Sequence, residues 1–291
     1  MKKNAFFISE VSSNHSQDIE RALKFIDQSA LVGCDAVKFQ LFKIDKLFSK
    51  EVFQNNPETL NRKKWELPLK FLPILSKRCE VKNIQFSCTP FYLEAVNELK
   101  EYVHFFKIAS YELLWDELLA ACAKTKKPII LSTGMATIDE IEHAVNVIKK
   151  NGCNNLTILH CTSAYPTPYH EANLAAIETL QKKFKCSVGW SDHTVNPGVI
   201  NRAINKWGAE VIEFHMDLEG EGDEFSSGHC WLPVQIGQVI KQVKEGLMAD
   251  GDGIKKPVEA ELSDRSWRAD PSDGLRPLKI IRKTLDKKID N

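Results

Sequence analysis

An α/β chain closed as a (β/α)8 TIM barrel is predicted by three features of the sequence. Eight short β-rich runs alternate with eight segments of helical periodicity over about 250 residues, which is the arithmetic of that barrel. Several of the runs have few polar interruptions, as expected of parallel strands buried on both faces. A doubly wound open sheet competes, but it usually has fewer strands and a glycine-rich first turn, and neither GxGxxG nor GxxxxGK(S/T) occurs here.

Ala5–Ile8 is the first β-rich run, and a polar turn separates it from the helical pattern of Asp18–Val32. Ala36–Gln40 is the second. A long mixed segment, Leu41–Leu67, carries Lys43, Lys46, Lys50, Lys63 and Lys64 and leads to the helical stretch Pro68–Lys82. Connections of that length in a compact domain are uncommon and often functional, although a solvated excursion fits as well. The repeat continues with Gln85–Cys88 and Tyr92–Glu101, Phe105–Ile108 and Trp115–Lys124, and Pro128–Leu131 and Ile138–Asn151. Thr157–Cys161 and Leu174–Lys183, Ser187–Trp190 and Pro197–Trp207, and Val211–His215 and Pro233–Met248 complete it. Residues 1–250 therefore form the barrel domain. Residues 251–291 lack a strand pattern and are expected to pack on the barrel as a short C-terminal extension, anchored by Trp267, Leu275 and Leu278.

With 291 residues, 43% apolar and 27% charged, the chain can bury a sizeable core without disulfides or structural metal. Lys+Arg and Asp+Glu both number 39, which removes the electrostatic case for nucleic-acid binding but leaves room for a local cationic pocket. No apolar run approaches the roughly 20 residues that cross a bilayer. The apolar stretch after Lys2-Lys3 stops at Ser9-Glu10, short for a signal peptide. The expectation is a cytoplasmic protein with neither membrane nor nucleic-acid partner. The eight cysteines, at 34, 79, 88, 122, 153, 161, 186 and 230, form no CxxC pair and read as reduced structural thiols. Cys161 stands apart because of its neighbours.

In a barrel enzyme the polar residues at the C-terminal ends of the strands converge on one mouth. All eight ends here are polar. They supply Glu10; Lys38 and Gln40; Ser87 and Thr89; Lys107 and Ser110; Ser132 to Gly134; His160 to Tyr165; Ser191 to His193; and Glu213 and His215. Lysines among clustered hydroxyls and backbone amides suit a phosphate and a carboxylate, which need cations and directed donors. Lys38 and Lys107 sit inside apolar strand sequences, where an unpaired lysine is costly to bury. His193 and His215 would each, taken singly, be read as hydrogen-bonded structural histidines. At the ends of adjacent strands they can share one divalent cation, with positions left for substrate oxygen and water. His160 is expected in the core, and His104 and His143 at the surface.

At these strand ends the chain resembles the sialic acid synthase family, the phosphoenolpyruvate-condensing synthases of nine-carbon (nonulosonic) acids. The resemblance runs from about Phe6 to about His215. It is carried by Ser9-Glu10-Val11-Ser12-Ser13-Asn14-His15, Asp35-Ala36-Val37-Lys38-Phe39-Gln40, Phe86-Ser87-Cys88-Thr89-Pro90-Phe91 and Phe106-Lys107-Ile108-Ala109-Ser110. Leu131 to Met135, His160 to Pro168, Gly189 to Thr194 and Ile212 to His215 continue it in the same order. The resemblance implies that phosphoenolpyruvate is held by Lys38, Thr89, Lys107, Ser110, Ser132, Ser163 and Ser191. It implies a divalent metal, Mn2+ or Mg2+, on His193 and His215, with Glu10 handling protons or the attacking water. Gln40, Tyr165 and Glu213 would face the sugar, and Asp223 is the candidate for a further sugar contact. The implied reaction joins C3 of phosphoenolpyruvate to the metal-polarised aldehyde of an N-acetylated amino sugar such as N-acetylmannosamine, and phosphate leaves by C–O cleavage. A homodimer is implied as well.

Two departures accompany the likeness. The family usually carries a small antifreeze-like domain after the barrel, for which the sequence beyond residue 250 is too short, and Arg268 or Arg276 is expected to reach the mouth in its place. The stretch after the eighth strand, Leu218 to Trp231, is also shorter than the family's. A synthase for a different or phosphorylated sugar is therefore an open alternative, as is a barrel that binds phosphate without turnover. A Schiff-base aldolase using Lys38 or Lys107 would be metal-independent.

Overall fold

The protein is described here by a computed structural model covering residues 5–286. The chain divides into two units, Met1–Leu247 and Met248–Asn291. In the first, eight parallel strands run in sequence order: β1 (Phe6–Ser12), β2 (Ala36–Leu41), β3 (Gln85–Pro90), β4 (Phe105–Ile108), β5 (Ile129–Ser132), β6 (Leu156–His160), β7 (Ser187–Asp192) and β8 (Val211–Met216). β1 pairs with β8 and closes the barrel expected from the sequence. The helices Ile19–Leu31, Leu72–Lys82, Leu93–Leu99, Asp116–Lys124, Ile138–Lys150, Ala176–Phe184, Pro197–Asn205 and Pro233–Ala249 alternate with the strands. A two-residue strand, β9 (Cys230–Trp231), was not anticipated; it pairs parallel with β8 and sets Cys230 beside His215.

The register explains why the site is polar and the barrel beneath it is not. Ile8, Ala36, Phe105, Ile130, Leu159 and Val211 pack as a small apolar cluster of their own, separate from the larger core between strands and helices. Successive side chains on a strand alternate between faces, so the next inward residues lie two positions on. They are Glu10, Lys38, Lys107, Ser132, Cys161 and Glu213. An apolar plug thus carries a polar layer, and residues one step further on, such as Gln40 and His215, stand nearer the mouth.

The long segment after β2 is structured. It forms the helices Ile44–Leu47 and Lys50–Asn55 and the 3-10 turns of Pro57–Trp65. The Glu66 carboxylate accepts the Ile44 N–H at 2.8 Å, and the Gln17 amide donates to the Lys63 and Glu66 carbonyls at 2.9 and 3.0 Å. All eight cysteines are free thiols, and seven are buried. His160 is half-buried rather than in the core, with Nε2 against the Ala172 carbonyl at 3.0 Å. His143 is exposed and paired with Asp116, as a surface histidine should be. No helix among the described residues is long and apolar enough to cross a membrane.

The second unit is held by local polar contacts. Asp270 accepts the N–H groups of Ser272 and Lys279, and Asp273 pairs with Arg282 at 2.9 Å. Trp267 and Leu275, expected as anchors, are exposed. Arg268 donates to the Arg265 carbonyl at 2.8 Å.

Candidate active site

The polar layer is an alternating lattice of buried cations and carboxylates. β1 and β2 pair Glu10 with Lys38, which form an ion pair, and β7 and β8 pair Ser191 with Glu213. Lys107 Nζ lies 3.3 Å from Glu213 Oε1, Lys38 Nζ lies 3.9 Å from Glu213 Oε2, and the Ser191 hydroxyl donates to Glu213 at 3.1 Å. Burial pushes the Glu213 carboxyl up, but Lys107 and Lys38 outweigh it and hold the group below the usual carboxylate range. Burial also pushes Lys38 down to about 8, against the opposing pull of Glu213. Lys38 Nζ further reaches the Thr89 hydroxyl at 3.3 Å, and Gln40 donates to Glu10 at 3.1 Å. Glu213 therefore sits at the depth of the lysines.

Beside the lysines is a cradle of hydroxyls. Ser132 Oγ and Ser163 Oγ are buried without a hydrogen-bond partner, and such orphans call for a ligand. Ser110 Oγ accepts the Gly134 N–H at 3.0 Å and lies 3.3 Å from Cys161 Sγ. A Cβ built on Gly134 would stand 2.2 Å from Ser163 Oγ and 2.9 Å from Ser110 Oγ, so only glycine leaves the three groups this close. A larger hollow of about 620 Å³ shares Ser163 and Cys161 in its wall, but it has neither lysine nor arginine, so an anion belongs on the barrel side.

At the opposite side of the mouth stand the histidines. The rings of His193 and His215 have centroids 5.5 Å apart. His193 Nδ1 faces the Thr162 carbonyl at 2.9 Å, and His215 Nδ1 faces Glu224 at 2.8 Å. Both partners can only accept, so each Nδ1 carries the proton and each Nε2 is left as a lone pair. Burial pushes His193 down to about 3 and His215 below its ordinary value, so both rings are neutral at pH 7. Two neutral imidazoles with outward lone pairs and fixed tautomers fit a divalent cation. Charge agrees with this fit. Lys38 and Lys107 face Glu10 and Glu213, and Glu224 beside His215 adds a third carboxylate to the two lysines, an excess of one negative charge before any anionic substrate arrives.

Two further features border the layer. A pocket of about 320 Å³ opens beside Gln40, walled by Phe42, Phe48, Trp65 and Phe91 and rimmed by Arg62, Asp223 and Glu224. Asp223 is exposed on that rim, and Tyr165 stacks on His193 at 4.2 Å. Glu112 was missed in the sequence because it lies in a polar turn after β4 that resembles solvent-facing loop. Packing buries it, leaves Oε2 without a partner, and pushes its carboxyl up to about 7 against the pull of Lys107. A buried carboxyl of that kind can exchange protons near neutrality.

Comparisons with known proteins agree with this geometry. The model of the NeuB family matches residues 25–255. N,N'-diacetyllegionaminic acid synthase of Campylobacter jejuni is 38% identical over 305 residues, covering 99% of this chain and 86% of that protein. Pseudaminic acid synthase of Campylobacter jejuni strain 81-176 is 32% identical over 278 residues, covering 90% and 80%. The crystal structure of N-acetylneuraminic acid synthetase from Leptospira borgpetersenii, in complex with citrate, superposes with a TM-score of 0.80 at 32% identity, covering 90% of each chain. The family match takes in all the strands from β2 to β8 that carry the lysines and the histidine pair, and the chain belongs to the NeuB family, whose named members here are acid synthases.

Proposed function

We propose that the protein condenses phosphoenolpyruvate with the aldehyde of an N-acetylated amino sugar, giving a nonulosonic acid and inorganic phosphate. The observation that carries this reading is that two buried lysines, Lys38 and Lys107, share one layer of the barrel with Ser132, whose hydroxyl is buried and unpartnered. Lys38 and Lys107 supply charge to the phosphate and carboxylate, and Thr89, Ser110, Ser132, Ser163 and Ser191 supply directed hydroxyls. The C3 carbon of phosphoenolpyruvate bonds to the aldehyde carbon, whose oxygen takes up a proton and becomes a hydroxyl. A water oxygen bonds to C2, and the bond from C2 to the bridging oxygen breaks, leaving a C2 carbonyl and inorganic phosphate that keeps the bridging oxygen. Glu10 takes a proton from that water, since its carboxylate is fixed by the Ser12 N–H at 2.8 Å beside Lys38. His193 and His215 hold a divalent metal, Mn2+ or Mg2+, which when bound supplies Lewis acidity toward a carbonyl oxygen. Gln40, Tyr165 and Asp223 border the acceptor.

The aromatic pocket favours an N-acetylated acceptor over a phosphorylated one. Its walls suit methyl and ring C–H groups, and its single arginine, Arg62, faces two carboxylates, Asp223 and Glu224. A sugar phosphate there would meet more negative charge than positive. Phosphate release with a panel of aldoses, N-acetylmannosamine, its 2,4-diacetamido analogues and arabinose 5-phosphate, tests the assignment with Mn2+ and then with chelator. Release that needs both an N-acetylated aldose and the metal is expected; release with arabinose 5-phosphate alone would move the reading to a phosphosugar.

The pH dependence follows from Lys38. Its folded value, about 8, lies below that of free lysine, so it is charged below pH 8 and neutral above. The value of kcat/KM for phosphoenolpyruvate should therefore fall by about tenfold per unit above that point, since this ratio reports ionisations of the free enzyme. A profile flat to pH 9.5 would show that Lys38 does not hold the anion.

A further inference from the structure

Cys161 follows directly on β6 and is only 5% exposed, with its Sγ 3.3 Å from Ser110 Oγ. Gly134, just beyond β5, completes the group, since its N–H donates to the same Ser110 oxygen at 3.0 Å. A Cβ built on Gly134 would stand 3.2 Å from Cys161 Sγ, as well as 2.9 Å from Ser110 Oγ and 2.2 Å from Ser163 Oγ. The chain beyond β4, β5 and β6 therefore brings a thiol and two hydroxyls together over one glycine. Two hydroxyls of this region lack a partner in the protein: Ser132 Oγ, on a residue 3% exposed, and Ser163 Oγ. Cys161 thus borders a built anion cradle rather than standing alone as a buried thiol.

The hydrogen bonds of Ser110 can be counted in full. A serine hydroxyl has one proton to give and two lone pairs to receive. The Gly134 N–H takes one lone pair. Between Ser110 and Cys161 the bond can run either way. If Ser110 donates, its only proton goes to sulfur, a weak acceptor. An anionic oxygen is a far better one, because bonds to a charged acceptor are about twice as strong as neutral ones. With an anion in the cradle the hydroxyl turns to it, and the Cys161 S–H fills the second lone pair. All three bonding positions of Ser110 are then used, and its proton has one direction left.

We propose that Cys161 is a positioning residue of the anion cradle, whose S–H holds the second lone pair of Ser110 so that the hydroxyl donates to an anionic oxygen of phosphoenolpyruvate. This rests on the phosphoenolpyruvate reading above and adds Cys161 to it. The thiol acts through Ser110 and does not itself touch the substrate.

The test is phosphoenolpyruvate binding to the full-length protein by calorimetry, without aldose, for the wild type and for Cys161→Ala, Cys161→Val and Cys161→Ser. Alanine and valine remove the donor, and their Kd is expected to rise about three- to tenfold, the scale of one neutral hydrogen bond. Serine returns a donor and should restore Kd to within about twofold of wild type. A thiol that merely fills apolar space predicts the reverse order, with valine near wild type and serine weak. A second reading needs only the wild type to fold and bind. In infrared difference spectra, the S–H stretch of Cys161, identified as the band that Cys161→Ser lacks, should move to lower wavenumber when phosphoenolpyruvate binds. Valine at wild-type affinity, serine no better than valine, or an S–H band that phosphoenolpyruvate leaves in place overturns the proposal and spares the anion assignment. Absence of phosphoenolpyruvate binding by the wild type overturns that assignment, and the proposal with it.

Discussion

Replacing Lys107 by Met lowers kcat/KM for phosphoenolpyruvate by about 10²–10³-fold, the scale on which one preorganised donor acts. Methionine fills similar length and stays compatible with the apolar flanks Phe106 and Ile108, so the change removes charge more than volume. The loss has a second component. Glu213 keeps its low pKa through Lys107 and Lys38, and without Lys107 it rises and leaves a buried carboxyl short of a partner. Breaking a buried pair from one side costs on the order of 3–5 kcal/mol of stability, whereas removing both partners costs much less. The double variant Lys107→Met/Glu213→Gln should therefore recover most of the lost Tm while activity stays low. Steady-state kinetics with thermal melts separates the two. Recovery of activity together with Tm would show that Lys107 serves only the fold.

Glu10→Gln lowers kcat by about 10²–10⁴-fold, the span of a single general base. The amide keeps the oxygen that accepts from Ser12 N–H and Gln40, so the side chain holds its place. Only the capacity to take a proton disappears, along with the negative charge beside Lys38. Phosphoenolpyruvate binding by the variant, measured by calorimetry, should stay within about tenfold of wild type while turnover collapses. If kcat falls less than tenfold, the water is activated elsewhere, and Glu112, with its carboxyl near 7, is the next candidate.

The layers of the barrel show what the sequence could reveal. Lys38 and Lys107 were legible because a lysine inside an apolar parallel strand has few explanations, and the two-residue alternation then places Glu10, Ser132 and Glu213 at the same depth. The contact of Glu213 with both lysines came only with the register. A residue two positions beyond the apolar plug faces the lysines, and strand pairing, which the sequence does not print, sets that depth. Glu112 and His229 were missed for another reason. Each lies in a short polar segment with no period, Glu112 in the turn that follows β4 and His229 just before β9, so nothing in the sequence pattern announces its burial. The aromatic pocket was half visible. The length of the segment after β2 flagged it, but its lysines drew attention while its apolar residues, Phe42, Phe48 and Trp65, line the cavity.

The central claim, carbon–carbon bond formation with loss of phosphate through C–O cleavage, is tested most directly with phosphoenolpyruvate carrying oxygen-18 at the bridging C2 oxygen. Incubated with Mn2+ and an N-acetylated amino sugar, the wild type should release phosphate that retains the heavy oxygen, matched mole for mole by a nine-carbon acid. Heavy oxygen retained in the organic product, or phosphate released equally without any aldose, would contradict it.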